Sequence, residues 1–317
     1  MITVTRAPAW LAVQDLGWTA QRSIGLPQGG AIDRHALAVA NLVAGNPVGA
    51  AALEWALGPG VIRFEEPARL ALSGADTEAT LAGEPVLMHT TVTARPGEQL
   101  EIGAMAGGRF LYIAIDGGID VPPVLGARST YLRGRFGGLH GRLVRTGDYL
   151  RVGPPEFPSP PVGFQAPGEL RLDYARRVLR VTPGPQAELF VGAERERLVS
   201  GEWVVAAASD RMGYRLKGGE IQAGVTASAA SDPTCPGAVQ VPDGGGPIVL
   251  MADGPTVGGY PKIAVICDAD LPLLAQRQPG DRVTFQWITI AEAQRLYRRR
   301  QIQLHTLASL VRDAATA

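Results

Sequence analysis

The chain is cut into short pieces. Four apolar, β-rich runs, RFLYIAID (109–116), PIVLMAD (247–253), KIAVI (262–266) and RVTFQWITI (282–290), have the length of strands. Glycine pairs and Pro-Gly steps separate them, among them Gly107-Gly108, Gly117-Gly118, Gly137-Gly138, Gly244 to Gly246 and Gly258-Gly259. With 40 glycines and 25 prolines in 317 residues, turns come too often for alternating βαβ units, and a barrel or sandwich is expected. The 46% hydrophobic content excludes a disordered or collagen-like chain.

A weak internal repeat runs through these pieces. GRFLYIAIDGG (108–118) matches GPIVLMADGP (246–255): a glycine, an apolar strand, then Asp-Gly. TGDYLRVG (146–153) matches PGDRVTFQ (279–286), and GPGVIRF (58–64) matches GPQAELF (184–190), in the same order in both halves. Each match is weak alone; together they point to two related β-barrel subdomains. The proline-rich stretch 153–170 is the best linker between them. The expected organisation is an N-terminal barrel over 1–160, a second over 161–290, and a basic amphipathic helix over 291–317.

Two segments read as helices. Asp33 is placed to cap DRHALAVANLVAG (33–45), with Gly45 and Asn46-Pro47 as the stop. In the C-terminal run, Thr289 and Glu292 form a T-x-x-E capping box, and Leu296, Leu304, Leu307 and Val311 form an apolar stripe among arginines. Such a helix reads first as one docked by a single face, ahead of a nucleic-acid role.

Charge and motif absences narrow the function. Thirty basic residues balance thirty acidic ones, which argues against a nucleic acid or an anionic membrane held by bulk charge. The N-terminus has no signal-peptide pattern and no apolar run reaches 18 residues, so a cytoplasmic protein without a membrane span is expected. Two cysteines, Cys235 and Cys267, rule out a disulfide framework and a cysteine-rich zinc site. The four histidines follow no metal-binding spacing, and no metal site is expected. The chain has no G-x-x-x-x-G-K-[ST] loop, no dinucleotide fingerprint and no G-x-S-x-G elbow. Neither lysine sits in a Met-Lys-Met setting, so any biotin must be carried by another protein, and ATP has no recognisable motif here.

Those two lysines are themselves informative. Lys217 and Lys262 stand among 28 arginines. Codon bias explains the arginines and makes each retained lysine more telling. Lys262 lies in DGPTVGGYPKIAVICDAD (253–270), where Gly258 and Gly259 free the backbone to approach a ligand. A lysine there can act as a compact charge on a developing oxyanion, with Tyr260 as a hydroxyl donor; two apart on a strand, they would share a face. The bland alternative is a hairpin with a solvated lysine. Asp15, Gln21, Arg22, Asp33 and Asn41 cluster in 13–46, where a loop feeding a helix can bind a carboxylate or phosphate. An N-cap role is the plainer reading of Asp33. Asn41 inside a helix needs a contact, and Glu54 in an apolar run needs a partner. Arg211, four residues before Arg215, suits carboxylate or phosphate recognition, or a salt-bridged loop. The arginine-rich stretch 126–142 reads as an anion-binding loop, an interface or a long exposed hairpin.

Taken in order, QDLGWTAQRSIGLPQGGAIDRHALAVANLVAGN, LEWALGPG, FLYIAIDGGI, GARSTY, SDRMGYRL, GAVQVP and ADGPTVGGYPKIAVI resemble the biotin-dependent carboxyltransferase family, from about residue 3 to 290. That family includes the C subunit of bacterial 5-oxoprolinase, the antagonist (KipA) of a sporulation-kinase inhibitor, and the carboxyltransferase domain of urea carboxylase. The resemblance implies a mainly β fold of two cyclophilin-like barrels. It implies a component that works with two others, one KipI-like (B-type) and one LamB/YcsF-like (A-type), in ATP-dependent opening of 5-oxoproline to glutamate. In that setting Lys262, Tyr260 and Asp33 are the expected catalytic residues, with Asn41, Arg211, Gly258, Gly259 and Glu54 around a small lactam or amide. Two alternatives stay open: carboxyl transfer from biotin to urea or a related amide, and a non-catalytic regulator. Trp18 stands where the family usually has a basic residue, Gly254-Pro255 where a longer polar pair is common, and Asp232 and Cys235 fall in a segment expected to vary.

Overall fold

A computed structural model describes residues 1–224 and 231–316. The chain divides into two compact units. Unit 1 comprises Met1–Gly17, Gly29–Leu172 and Ile302–Ala317; unit 2 comprises Trp18–Gln28 and Asp173–Gln301. The architecture is mainly β, as the short punctuated runs imply.

Unit 1 contains β1 (Ile2–Arg6), β2 (Trp10–Gln14), α1 (Arg34–Ala44), β3 (Ala52–Ala56), β4 (Gly60–Phe64), β5 (Ala68–Leu81), β6 (Glu84–Pro85), β7 (Val92–Ala94), β8 (Gln99–Ile115) and β9 (Tyr149–Leu150). The nine strands form one sheet, ordered β2-β3-β8-β4-β1-β9, with β5 pairing β6, β7 and β8. β8 explains how so long a strand holds together. Its first half alternates and leaves side chains in water, whereas Phe110 to Ile115 is buried throughout. An unbroken apolar run of that length needs cover on both faces, and α1 packs on β5 and β8. The opposite side contributes Leu11, Leu53, Trp55, Ile62, Leu72 and Ile113 to the core. The proline-rich stretch read as a linker is held within unit 1: Phe164 and Ala166 hydrogen-bond to Thr91 and His89, and Arg69 donates to the carbonyls of Ser159 and Pro160.

Unit 2 contains β10 (Val178–Pro183), α2 (Gly192–Ser200), β11 (Trp203–Val205), β12 (Gly213–Lys217), β13 (Asp232–Pro233), β14 (Ala238–Gln240), β15 (Ile248–Leu250), β16 (Val257–Gly258), β17 (Lys262–Ile266), α3 (Leu271–Ala275) and β18 (Arg282–Trp287). Seven strands close a barrel in the order β10-β17-β14-β15-β12-β11-β18, and among the described residues β13 pairs with β16 in a separate ribbon. Closure removes the exposed edges that such short strands would otherwise present. Val181, Val239, Val249, Ala264 and Val283 are fully enclosed. The entry to α3 is fixed by Asp270, wholly buried, whose carboxylate takes paired hydrogen bonds of 2.9 and 2.6 Å from Arg180 and a further contact from Arg176.

The last helix, α4 (Ile290–Thr316), starts with the expected capping box: Thr289 N–H donates to Glu292 at 2.8 Å, and Glu292 N–H to the Thr289 hydroxyl at 3.2 Å. Leu307 and Val311 are buried, Leu296 and Leu304 half-buried, and the stripe is the docked face. No helix among the described residues is long and apolar enough to cross a membrane.

Candidate functional site

The residues singled out in the sequence fall into both units. Asp33, Asn41 and Glu54 belong to unit 1, and Arg211, Gly258, Gly259, Tyr260 and Lys262 to unit 2.

In unit 1, Asp33, Asn41 and Glu54 are all at 0% exposure. Asp33 caps α1, its Oδ1 accepting from Ala36 N–H at 2.8 Å, and Gly45 closes the other end in the left-handed region. The Asp33 N–H donates to the Tyr112 hydroxyl (3.0 Å), which donates to Glu54 Oε2 (2.7 Å). Glu54 also accepts from Trp10 Nε1 and from Ile32 N–H, both at 3.1 Å. Burial, with the Glu54 and Asp33 charges, pushes the Tyr112 phenol well above its ordinary value, so the hydroxyl stays a donor. Asn41 donates to the Ala50 carbonyl at 2.8 Å and accepts from Asn46, which ties the end of α1 to β8 through the Ile115 carbonyl. The contacts that Asn41 and Glu54 demanded are thus internal to unit 1.

The arginine-rich stretch 126–142 is tightly folded, not a free hairpin. Arg142 grips Asp148 through both terminal nitrogens, at 2.6 and 2.9 Å. Two open clefts of about 530 and 610 Å³ flank it and share Arg135, His140 and Gly141.

In unit 2, Arg211 makes a bidentate pair with Asp253, 2.9 Å on each arm, with both side chains largely buried. Its fork therefore holds an internal carboxylate, the one that opens the Asp253-Gly254-Pro255 turn. Tyr260 precedes β17 and is 46% exposed, whereas Lys262, the first residue of β17, is 2% exposed. Strand alternation does not reach back to Tyr260, so the shared face expected for the two is absent.

Lys262 is the centre of a polar cluster. Its Nζ lies 3.0 Å from Asp232 Oδ2 on the ribbon, off the hydrogen-bond direction, and no acceptor among the described residues is aligned with it. Gln186 spans the same place: its Oε1 accepts from Lys262 N–H (3.1 Å) and its Nε2 donates to Asp232 Oδ2 (2.9 Å). Gly184 makes this possible, because a Cβ there would lie 2.2 Å from the Lys262 carbonyl oxygen and push the turn off β17. The Gln186 amide, then the Lys262 ammonium, hold the Asp232 carboxyl below its ordinary range. Two residues on, Thr234 accepts from Arg22 through its carbonyl at 2.7 Å. Burial pushes the Cys235 thiol up, against the pull of the Arg22 and Lys262 charges. A buried ammonium is costly unless satisfied, and this one keeps N–H groups to offer.

The fourth member is Gln240, which lies opposite Lys262 across the β14–β17 ladder and is 4% exposed. Its Nε2 also has no hydrogen-bond partner among the described residues. A bulge sets this pairing: Val239 faces Ala264 but Gln240 faces Lys262, so β17 carries one extra residue. Bulges of this kind re-aim side chains, often beside active sites. Sequence reading missed Gln240, Gln186 and Asp232. A glutamine in GAVQVP carries no chemical pattern, and the signal is the cross-strand register. Among the described residues, no group of three or more His, Cys, Asp or Glu is placed to hold a metal ion.

A closed seven-stranded barrel with a buried lysine and glutamine on neighbouring strands defines a β-barrel protein with a donor-rich polar site. Residues 24–287 match the family model described as carboxyltransferase domain, subdomain A and B, and the chain belongs to that family. It is 39% identical to the C subunit of 5-oxoprolinase from Escherichia coli (strain K12), over 92% of this chain and 93% of that one. It is 33% identical to the protein of the same name in Haemophilus influenzae, over 98% and 99% of the two chains. Among solved structures, the K. lactis urea amidolyase superposes with a TM-score of 0.89 at 29% identity, covering 96% of this chain but 20% of that protein.

Proposed function

We propose that this chain is the C-type component of an enzyme complex that opens 5-oxo-L-proline to L-glutamate at the expense of ATP. The observation that carries this reading is the match to two 5-oxoprolinase C subunits, over nearly the full length of both partners in each comparison. The Lys262 cluster supports it chemically. A five-membered lactam resists hydrolysis because amide resonance must be broken, and ATP, as co-substrate, activates the carbonyl oxygen. This chain's part is to hold the carbonyl oxygen and to place positive charge where negative charge develops. Lys262 supplies that charge, with Gln186 and Asp232 fixing its position. ATP is used by the complex, and this chain carries no recognisable nucleotide motif. The partners are the KipI-like B-type and LamB/YcsF-like A-type components, and the location is the cytoplasm.

The family description favours one second reading, carboxyl transfer to urea or a related amide, with biotin brought by another protein. The same donors would then serve a carbonyl oxygen of biotin or of the acceptor. One assay separates the two. ATP hydrolysis by the reconstituted complex is measured with and without 5-oxoproline, and the purified complex is blotted with avidin. Stimulation by 5-oxoproline in an avidin-negative complex supports the lactam-opening reading. A biotin-carrying complex stimulated only by urea and bicarbonate overturns it.

A further inference from the structure

We infer that Gln240 and Lys262 form a paired-donor subsite for one carbonyl oxygen of the ligand, and that Gly258 is the notch that lets Gln240 take part. This rests on the reading of Lys262 as a substrate-contacting residue and extends it to a residue outside every motif recognised as chemical.

Three observations converge. Both side chains are more than nine-tenths buried, at 4% and 2% exposure; Gln240 Nε2 has no hydrogen-bond partner among the described residues, and Lys262 Nζ meets Asp232 Oδ2 at 3.0 Å with its other N–H groups unfilled. They sit directly opposite on β14 and β17, which puts them on one face with Cβ atoms about 5 Å apart. Gly258 on the ribbon lies over the glutamine: a Cβ at that position would be 2.8 Å from Gln240 Nε2. Gly258 is not in the left-handed region, so what a Cβ there would meet is the Gln240 amide and not backbone strain, and the amide would have to shift.

The chemistry of the pair selects its ligand. An ammonium and an amide NH2 are both donors, and a carbonyl or carboxylate oxygen has two lone pairs to meet them. A ligand N–H aimed at the two nitrogens would leave both donors unfilled. Unfilled buried donors raise the free energy of the empty site, and an incoming oxygen recovers that cost. Among the described residues, the ribbon over Gln240 pairs Asp232 with Gly258 and Pro233 with Val257.

The test is a double-mutant cycle on the full chain in complex with its A-type and B-type partners, comparing Gln240→Met, Gly258→Ala and the double variant. Readouts are kcat/KM for 5-oxoproline, KM for ATP, and calorimetric binding of 5-oxoproline and of urea as carbonyl probes. Thermal unfolding checks the fold. Gln240→Met is expected to lower kcat/KM for 5-oxoproline and probe affinity about tenfold to a hundredfold, with KM for ATP unchanged. Gly258→Ala is expected to do nearly the same by displacing the amide, and the double variant to be no worse than Gln240→Met alone. Additive losses, or a Gly258→Ala variant of full activity, overturn the notch. Probe binding unchanged in Gln240→Met, or absent from the wild type, overturns the subsite. If 5-oxoproline is not turned over but urea binding shows the expected cycle, the lactam-opening reading falls and the paired-donor subsite stands.

Discussion

Replacing Lys262 by methionine separates a functional ammonium from a structural one, because the two roles give stability changes of opposite sign. The side chain is 2% exposed and, beside the Asp232 carboxylate 3.0 Å away, its N–H groups find no further acceptor among the described residues. Its charge contact among the described residues is to Asp232, whose side chain is 40% exposed, and pairs open to water contribute little. A buried polar group left unsatisfied costs about 1–3 kcal/mol. Methionine has similar length and no such group, so Lys262→Met is expected to leave folding stability unchanged or to raise it by up to that amount. At about 2–4 °C per kcal/mol, the gain is a few degrees in the unfolding midpoint. Activity moves the other way. Losing one preorganised donor to a developing oxyanion costs about 2.7–4 kcal/mol, or 10²–10³ in kcat. Differential scanning calorimetry of the chain, with 5-oxoproline-dependent ATP hydrolysis by the complex, reads both quantities. A variant that loses stability and activity together refutes the reasoning, as does turnover within about threefold of wild type, roughly 0.7 kcal/mol.

Four further outcomes rest on other contacts. Asp270→Ala is expected to destabilise unit 2 by about 3–5 kcal/mol, since it strands Arg180 and Arg176, and denaturant titration reads the loss. Burial pushes the Asp270 carboxyl up, but the Arg180 pair outweighs it and the folded value lies below the ordinary 3.8. The stability it contributes is therefore full above that ordinary value and is lost as the pH falls through the folded one; an acid-unfolding midpoint unchanged in Asp270→Asn would contradict this. Tyr112→Phe removes the hydroxyl between the Asp33 N–H and Glu54, and is expected to lower stability by about 1–3 kcal/mol in thermal unfolding. Arg211→Lys keeps the charge but loses the bidentate grip on Asp253, and should lower the unfolding midpoint measurably; an unchanged midpoint would show the pair to be idle.

What the sequence made legible was local. The caps of α1 and α4 depend on residues within one turn, so Asp33, Gly45 and the Thr289–Glu292 box could be read directly. Of the strand-length runs, 262–266 became β17 to the residue, whereas 109–116 is the end of the 17-residue β8, which runs through the Gly107-Gly108 pair read as a break. Lys262 was legible through rarity: in a chain of arginines, a retained lysine at a glycine-rich strand entry invites a specific role. Its surroundings were not legible, because they come from across the barrel. Gln240 meets it only through a bulge in the β14–β17 ladder, and Asp232 through a ribbon in a stretch expected to vary. Asn41 and Glu54 show the converse. Their demand for partners was visible, but the partners, Ala50, Asn46, Tyr112 and Trp10, are fixed by unit 1's own packing.

The most direct measurement is the ratio of glutamate formed to ATP hydrolysed by the complex reconstituted from this chain and its A-type and B-type partners. Glutamate and ADP are expected in equal amounts with wild-type chain, and neither above background when the chain is omitted. Glutamate formation that continues without this chain, or that requires added biotinylated carrier, would contradict the central claim.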